Sequence, residues 1–183
     1  MPTTKVLLYE LSSDKCISGL RDGKLDLAII HQLKGAQTAG IEFELLRTYP
    51  WCVALSPGHP FERLKSVPLE KVRSQPLVAF RRKDYSEYYR TLDRFFAYGS
   101  AKPRILAECD SASSLILEVE AGHGIALVAT FLKVAAGDRL VYRPLTGTTE
   151  VQPVGIARAT KGDVTPAGEK FCGILRQISK RIT

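Results

Sequence analysis

Apolar positions along this chain switch repeatedly between a period of two and a period near 3.6, and each switch marks a strand giving way to a helix or the reverse. Residues 5–9 (KVLLY) form a β-prone apolar run and predict a strand, while residues 13–21 place Cys16, Ile17 and Leu20 at helical spacing. Gly23 stands where a left-handed residue ends such a helix. Residues 25–30 (LDLAII) are apolar apart from Asp26, the pattern of a strand covered on both faces in a parallel sheet. The chain therefore opens on an expected strand–helix–strand unit.

Similar units follow. Two strands are expected at 41–47 and 51–55, joined by Thr48, Tyr49 and Pro50 and followed by the turn-rich SPGHPF segment, 56–61, and a helical turn at 69–72. Residues 77–80 (LVAF) predict a strand, and Asp84 with Glu87 has the spacing of a capping box opening a helix that carries Tyr88, Leu92, Phe95 and Phe96. A strand at 104–109 precedes Ser111, which is placed to cap a helix with Leu115, Ile116 and Val119 inward and Gly122 at its end. Strands at 124–128, 140–143 and 151–158 and a short helix at 130–135 lead to a last helix. Thr165 and Pro166 open it, and Phe171, Ile174, Leu175, Ile178 and Ile182 form its apolar stripe. The recurrence predicts two similar α/β lobes rather than one long sheet.

A length of 183 residues with 45% hydrophobic content suffices for one ordinary domain or two small lobes. No apolar run approaches the roughly 20 residues of a membrane span, and no signal-peptide core precedes residue 5, so a cytoplasmic protein without membrane contact is expected. Cys16, Cys52, Cys109 and Cys172 show neither C-x-x-C pairing nor histidines at zinc-ligand spacing, and read as buried free thiols. No metal and no cofactor is expected. The net charge of +7 would suit nucleic acid or a carboxylate ligand, but the cations are scattered, with clusters only at Arg81-Arg82-Lys83 and Lys180-Arg181, which solvated faces explain. His31, His59 and His123 fall in separate turns, Asp26 reads as a strand residue and Asp110 as a cap, and no G-x-S-x-G, H-E-x-x-H or P-loop sequence is present. No catalytic residues are expected.

Three strand-to-helix turns, at Ser12-Ser13, 81–85 and 110–112, share one character: each offers hydroxyls and open backbone N–H groups. In open α/β sheets such turns sit at the carboxyl ends of strands, where helix N-termini favour anions. The plainer role for Ser13, Asp84 and Ser111 is helix capping, worth about 1 kcal/mol each. The two roles are compatible.

The stretches YELSSDKCISGLRDGKLDLAII, VALSPGHPF, PLVAF and EVEAGHGIALV, in this order and spacing, resemble the effector-binding domain of LysR-type transcriptional regulators over almost the whole chain. The resemblance implies the α/β fold of type 2 periplasmic binding proteins: two lobes joined by two crossover strands, with a small-molecule inducer in a cleft between them. The first lobe is expected at 1–75 and 155–183 and the second at 76–154. The family's winged helix-turn-helix has no match before Lys5, so this chain alone is not expected to bind an operator; DNA is a partner only through that missing domain. The family's first strand and helix also lack a match, so either the numbering of this sequence starts late or another chain covers the sheet edge left open.

By matched position, Ser12 and Ser13 fall at the pocket turn of the first lobe. Phe80, Arg81 and Tyr85 fall at the turn opening the second, Ser111 and Ala112 beside Asp110 at the third, and Val128 and Thr130 at the fourth, where Ala129 replaces the proline of most relatives. Ser13 is the expected carboxylate-binding hydroxyl, and Arg81 an expected bidentate partner for the same group. His31 and Gln32 either face the cleft or make no contact. The segment RKDYSEYY resembles the subgroup governing aromatic-compound catabolism, so the expected inducer is a small, aromatic or unsaturated carboxylate. The resemblance further implies a homodimer or tetramer, pairing through the helices at 13–21 and 111–121. A transporter's solute-binding protein, and less so an enzyme, are the alternatives on the same fold.

Overall fold

The computed structural model describes residues 5–32, 39–97, 102–161 and 164–181. The elements are α1 (Ser13–Arg21), β1 (Ala28–His31), β2 (Ile41–Leu55), β3 (Val67–Pro68), α2 (Leu69–Val72), β4 (Pro76–Phe80), α3 (Ser86–Phe96), β5 (Arg104–Cys109), α4 (Ala112–Glu120), β6 (Ala126–Ala129), α5 (Leu132–Ala136), β7 (Val141–Thr146), β8 (Val151–Ala159) and α6 (Pro166–Arg181). They divide into two compact units, residues 1–48 with 153–183 and residues 49–152.

In the first unit α1 forms as its pattern dictates. Ser12 is its N-cap, accepting the Lys15 N–H at 3.3 Å. Cys16, Ile17 and Leu20 are buried, and Gly23 takes φ +66° just past the helix end. β1 departs from expectation. It begins only at Ala28, runs antiparallel to β8 with Ile30 opposite Gly155, and leaves Ile29 52% exposed. Among the described residues it pairs on one side only, unlike a central parallel strand. Residues 5–9 form no strand and pair with none among the described residues, and Val6, Leu7, Leu8 and Tyr9 are exposed. In α6 the expected stripe is only half realised: Cys172 is the buried residue, Ile174 and Ile178 are exposed, and Ile182 lies outside the described residues. Ion pairs from Arg158 to Glu169 (3.1 Å) and from Arg176 to Glu44 (2.6 Å) tie the helix to the sheet.

The strands expected at 41–47 and 51–55 are one strand, β2. Its first part lies beside β8, and its last residues pair antiparallel with both β6 and β7. Pro50, which has no N–H to donate, precedes the first paired residue of that second ladder, so it interrupts nothing.

The sheet of the second unit runs β3-β7-β2-β6, and a parallel bridge from Leu77 to Ile125 connects β6 to β4, which pairs in parallel with β5. Residues 51–55 are buried on both faces, and their alternation assigns them to two layers. Trp51, Val53 and Leu55 pack with Leu92 and Phe95 of α3, while Cys52 and Ala54 pack with Leu115 and Val119 of α4. Val67, Leu69 and Val72 join the first of these cores, so residues 49–75, expected with the first lobe, belong to the second unit. The expected Asp84–Glu87 capping box is absent: Tyr85 is the N-cap of α3 and makes no side-chain cap bond. At α4 the expected cap is present, with Ser111 and Ser114 each accepting the other's N–H at 3.2 Å. All four cysteines are buried free thiols, and among the described residues no helix is long and apolar enough to cross a membrane.

Candidate functional site

β4, β5 and β6 run parallel, so the turns that follow them, at residues 81–85, 110–111 and 130–131, leave from the same edge of one sheet. Carboxyl ends of parallel strands are where open α/β sheets bind ligands, because the helices that follow direct N–H groups there.

The first two turns are bonded to each other. The Arg81 N–H donates to the Cys109 carbonyl at 2.8 Å, and the Arg81 carbonyl accepts N–H bonds from Asp84 and Tyr85, both at 3.1 Å. The Tyr85 hydroxyl donates to the Asp110 carbonyl at 2.7 Å. Its ring stacks on Phe80, with centroids 4.4 Å apart and planes at 25°, and Phe80 meets the edge-on ring of buried Tyr88 at 5.2 Å. Burial pushes the Tyr88 phenol above its ordinary range, so it stays protonated.

Arg81 is not a free cation. Its guanidinium lies 3.0 Å from Asp84 and 3.5 Å from Asp110, so a ligand carboxylate would compete with two carboxylates already present. Beside it, Glu108, Asp110, Ser114 and Glu118 help line a hollow of about 250 Å³ in which carboxylates outnumber the guanidinium. The Ser111 hydroxyl is committed to capping α4, and the Ser114 hydroxyl donates to the Asp110 carboxylate at 3.1 Å. Ala112 opens α4 and is half-buried. Val128 is a core residue opposite Cys52 in the β2–β6 ladder. Thr130 is half-buried, and its N–H donates to the Pro50 carbonyl at 3.0 Å.

Ser12 and Ser13 belong to the first unit. Ser12, not Ser13, caps α1 and is buried. The Ser13 hydroxyl, half-buried at the first position of the helix, makes no hydrogen bond among the described residues. The Gln32 N–H donates to the Pro153 carbonyl at 3.0 Å. Burial pulls the His31 imidazole down from 6.5 to about 4, so it is neutral at physiological pH. Among the described residues no group of His, Cys, Asp and Glu is arranged to hold a metal ion.

Two features escaped the sequence. The pairing of Asp84 with Arg81 was signalled by their i,i+3 spacing, which serves a tight turn as well as a helix. Trp51, whose buried indole N–H has no partner among the described residues, was hidden inside an apolar run that reads simply as core.

Comparison with known proteins gives one consistent result. The model of the LysR substrate binding domain matches residues 1–179. A probable nitrogen assimilation transcriptional activator of Synechococcus elongatus is 30% identical over 146 residues, 78% of this chain and 47% of that protein. The HTH-type transcriptional regulator AlsR of Bacillus subtilis is 25% identical over 144 residues, 79% of this chain and 47% of that protein. The chain thus spans about half the length of the curated relatives it matches. Among solved structures, the effector binding domain of QuiR in complex with shikimate superposes with a TM-score of 0.76 at 19% identity, covering 93% of this chain and 79% of that one. The BenM effector binding domain with benzoate gives a TM-score of 0.72 at 21% identity, covering 94% and 78%. The fold is accordingly that of LysR effector-binding domains, the α/β type 2 periplasmic-binding-protein class. The chain belongs to the family of LysR substrate binding domains.

Proposed function

We propose that this chain is the effector-sensing part of a LysR-type transcriptional regulator working in the cytoplasm, and that its effector is a small anion with an aromatic or unsaturated body. The observation that carries the reading is the convergence of the turns after β4, β5 and β6 on one sheet edge, with the stacked Phe80–Tyr85 pair among them. Such a surface offers N–H groups and hydroxyls to an anionic head and a flat apolar wall to a ring. The ligands named for two similar structures, shikimate and benzoate, are both ring carboxylates. The proposed contacts are Phe80, Arg81, Tyr85, Ser111, Ala112, Val128 and Thr130 in the second unit and Ser12 and Ser13 in the first. The curated relatives are regulators, which favours this reading over a solute-binding protein or an enzyme. No chemical step is assigned to the chain.

Effector binding acts on DNA only by preferring one arrangement of the regulator over another, since a ligand shifts an equilibrium by its difference in affinity for the two states. DNA contact and the homo-oligomer that carries the signal are assigned to the whole regulator. The chain by itself, despite a net charge of +7, is expected to bind DNA weakly and with steep salt dependence.

Calorimetric titration with benzoate, shikimate and small dicarboxylates tests the reading, with the chain beside its Ser13→Ala and Tyr85→Ala variants. Removing the Ser13 hydroxyl should cost roughly 1.5–3 kcal/mol, about tenfold or more in affinity, if it bonds a charged group. Tyr85→Ala should weaken binding of the ring compounds more than of the aliphatic diacids. Equal affinities in all three proteins would place the ligand elsewhere, and no binding of any anion would overturn the ligand class.

A further inference from the structure

Two uncharged donors at the carboxyl edge of the second unit's sheet have no acceptor among the described residues. Trp51 stands opposite Ala129, the last residue of β6, so β2 places it at that edge. It is 4% exposed, and its indole N–H is buried without a partner. Tyr88 lies in the first turn of α3, directly after the 81–85 turn, and is 7% exposed. Its ring lies beside Trp51, with centroids 6.0 Å apart, and meets Phe80 nearly at right angles at 5.2 Å. The Tyr88 hydroxyl makes no hydrogen bond among the described residues, and burial keeps it protonated, hence a donor. Its neighbours differ: the Tyr85 hydroxyl donates to the Asp110 carbonyl at 2.7 Å, and the Tyr89 hydroxyl to the Glu108 carboxylate at 2.8 Å.

Folded proteins leave few buried donors unpaired, because each gives up its hydrogen bonds to water and gains nothing in return. Two such donors on adjacent rings, in contact with the Phe80–Tyr85 stack, stand next to the proposed effector surface. Their chemistry limits what they take. Both are uncharged, and Trp51 packs between Tyr88 and the edge-on ring of Phe95. A carboxylate drawn in there would lose its hydration without meeting a cation, which is costly. A hydroxyl or carbonyl oxygen loses far less, and accepts from either donor.

We propose that Tyr88 and Trp51 recognise a neutral oxygen substituent on the effector's ring, a hydroxyl or keto group separate from its anionic head. The inference rests on the reading of the turns after β4, β5 and β6 as the effector surface. It narrows the effector from ring carboxylates in general to oxygenated ones. Tyr88 is the residue that tells the two apart, with the Trp51 N–H as the second donor.

Calorimetric titration of the complete chain with benzoate, meta- and para-hydroxybenzoate and shikimate, beside its Tyr88→Phe variant, tests this. At least one oxygenated compound is expected to bind the wild type about tenfold more tightly than benzoate, and Tyr88→Phe should remove most of that preference while leaving benzoate affinity nearly unchanged. The emission of Trp51, the chain's single tryptophan, should shift to longer wavelength with the preferred compound and not with benzoate. Because Tyr88→Phe deletes a hydroxyl that bonds nothing, the ligand-free variant should unfold at the same urea concentration as the wild type or a higher one. A lower midpoint would show that the hydroxyl is satisfied inside the fold, and would overturn the proposal. So would a wild type that binds benzoate as tightly as every oxygenated compound, a preference that Tyr88→Phe leaves intact, or a preferred compound that leaves Trp51 emission unmoved. In each of those cases the binding of benzoate itself keeps the effector reading standing. Binding of none of the four compounds would remove that reading and this inference with it.

Discussion

Gly124→Ala is a severe test of how the second unit is held together. A Cβ at Gly124 would lie 2.7 Å from the Pro76 carbonyl oxygen and 3.1 Å from its carbon, both backbone atoms that no rotamer change can move aside. That carbonyl accepts the Ile125 N–H at 3.0 Å, and the Val78 N–H donates to the Ile125 carbonyl at 2.9 Å. These two bonds connect β4 to β6, and β4 ends at Phe80. Pushing the strands apart should weaken both bonds, at about 0.5–1.5 kcal/mol each, and add an overpacking cost of about 1–3 kcal/mol. The lower backbone entropy of alanine in the unfolded chain returns about 0.4–1 kcal/mol, leaving a net loss centred on about 3 kcal/mol within a range of about 1–5 kcal/mol. Gly122→Ala is the control. Its φ of +79° makes alanine strained, but the nearest atom is Ser56 Oγ at 4.0 Å, so only the conformational cost of about 1–2 kcal/mol applies. Urea unfolding followed by the fluorescence of Trp51, the chain's single tryptophan and a core residue of this unit, measures both. If Gly124→Ala costs less than Gly122→Ala, or under about 0.5 kcal/mol, close approach of β4 and β6 is not what glycine serves there.

Two further outcomes follow from single side chains. Ser111→Ala removes the cap of α4, and should cost about 1–2 kcal/mol in the same urea assay while leaving the α3 side of the core intact. His31 is neutral in the fold and its folded-state pKa is depressed to about 4, so its contribution is complete above 6.5 and is lost as pH falls from 6.5 towards 4. The loss, on the order of 3 kcal/mol, should appear in the hydrogen exchange of β1 amides and flatten in His31→Gln.

Local structure was legible wherever a pattern had one physical meaning. The α1 stripe, the glycine that ends α1, the inward face of α3 and the Ser111 cap all form as expected. Non-local strand pairing was not legible. LDLAII reads as a doubly covered strand, but coverage depends on neighbours that its own residues do not encode; among the described residues β1 pairs with β8 alone, and Ile29 is exposed. KVLLY has the same difficulty in stronger form, since propensity without a partner makes no ladder. Pro50 suggested a break between two strands, whereas β2 accommodates it at the first residue before a new ladder begins. The last helix was identified correctly, but its stripe implied burial that ion pairs from Arg158 and Arg176 partly replace.

For the candidate site, the sequence located the turns and misjudged the competition within them. An arginine in a turn invites an anionic ligand, but Asp84 three residues later reaches it first, at 3.0 Å, and Asp110 adds a second partner at 3.5 Å. An anionic effector therefore gains from Arg81 only the difference between its own carboxylate and the ones it displaces. Asp84→Asn should release the guanidinium and raise affinity for a benzoate-like anion. Because Arg81 remains about one-third exposed, the gain is that of a partly solvated pair, about 0.2–1 kcal/mol or up to about fivefold. It should shrink as salt is raised, since it is electrostatic. Calorimetry with the wild type, Asp84→Asn and the Asp84→Asn/Arg81→Gln double variant separates the cases. If the gain survives in the double variant, it does not come from Arg81. If Asp84→Asn lowers affinity, the Asp84–Arg81 pair holds the turn in its binding shape, and the two residues act on the effector through the backbone rather than through charge.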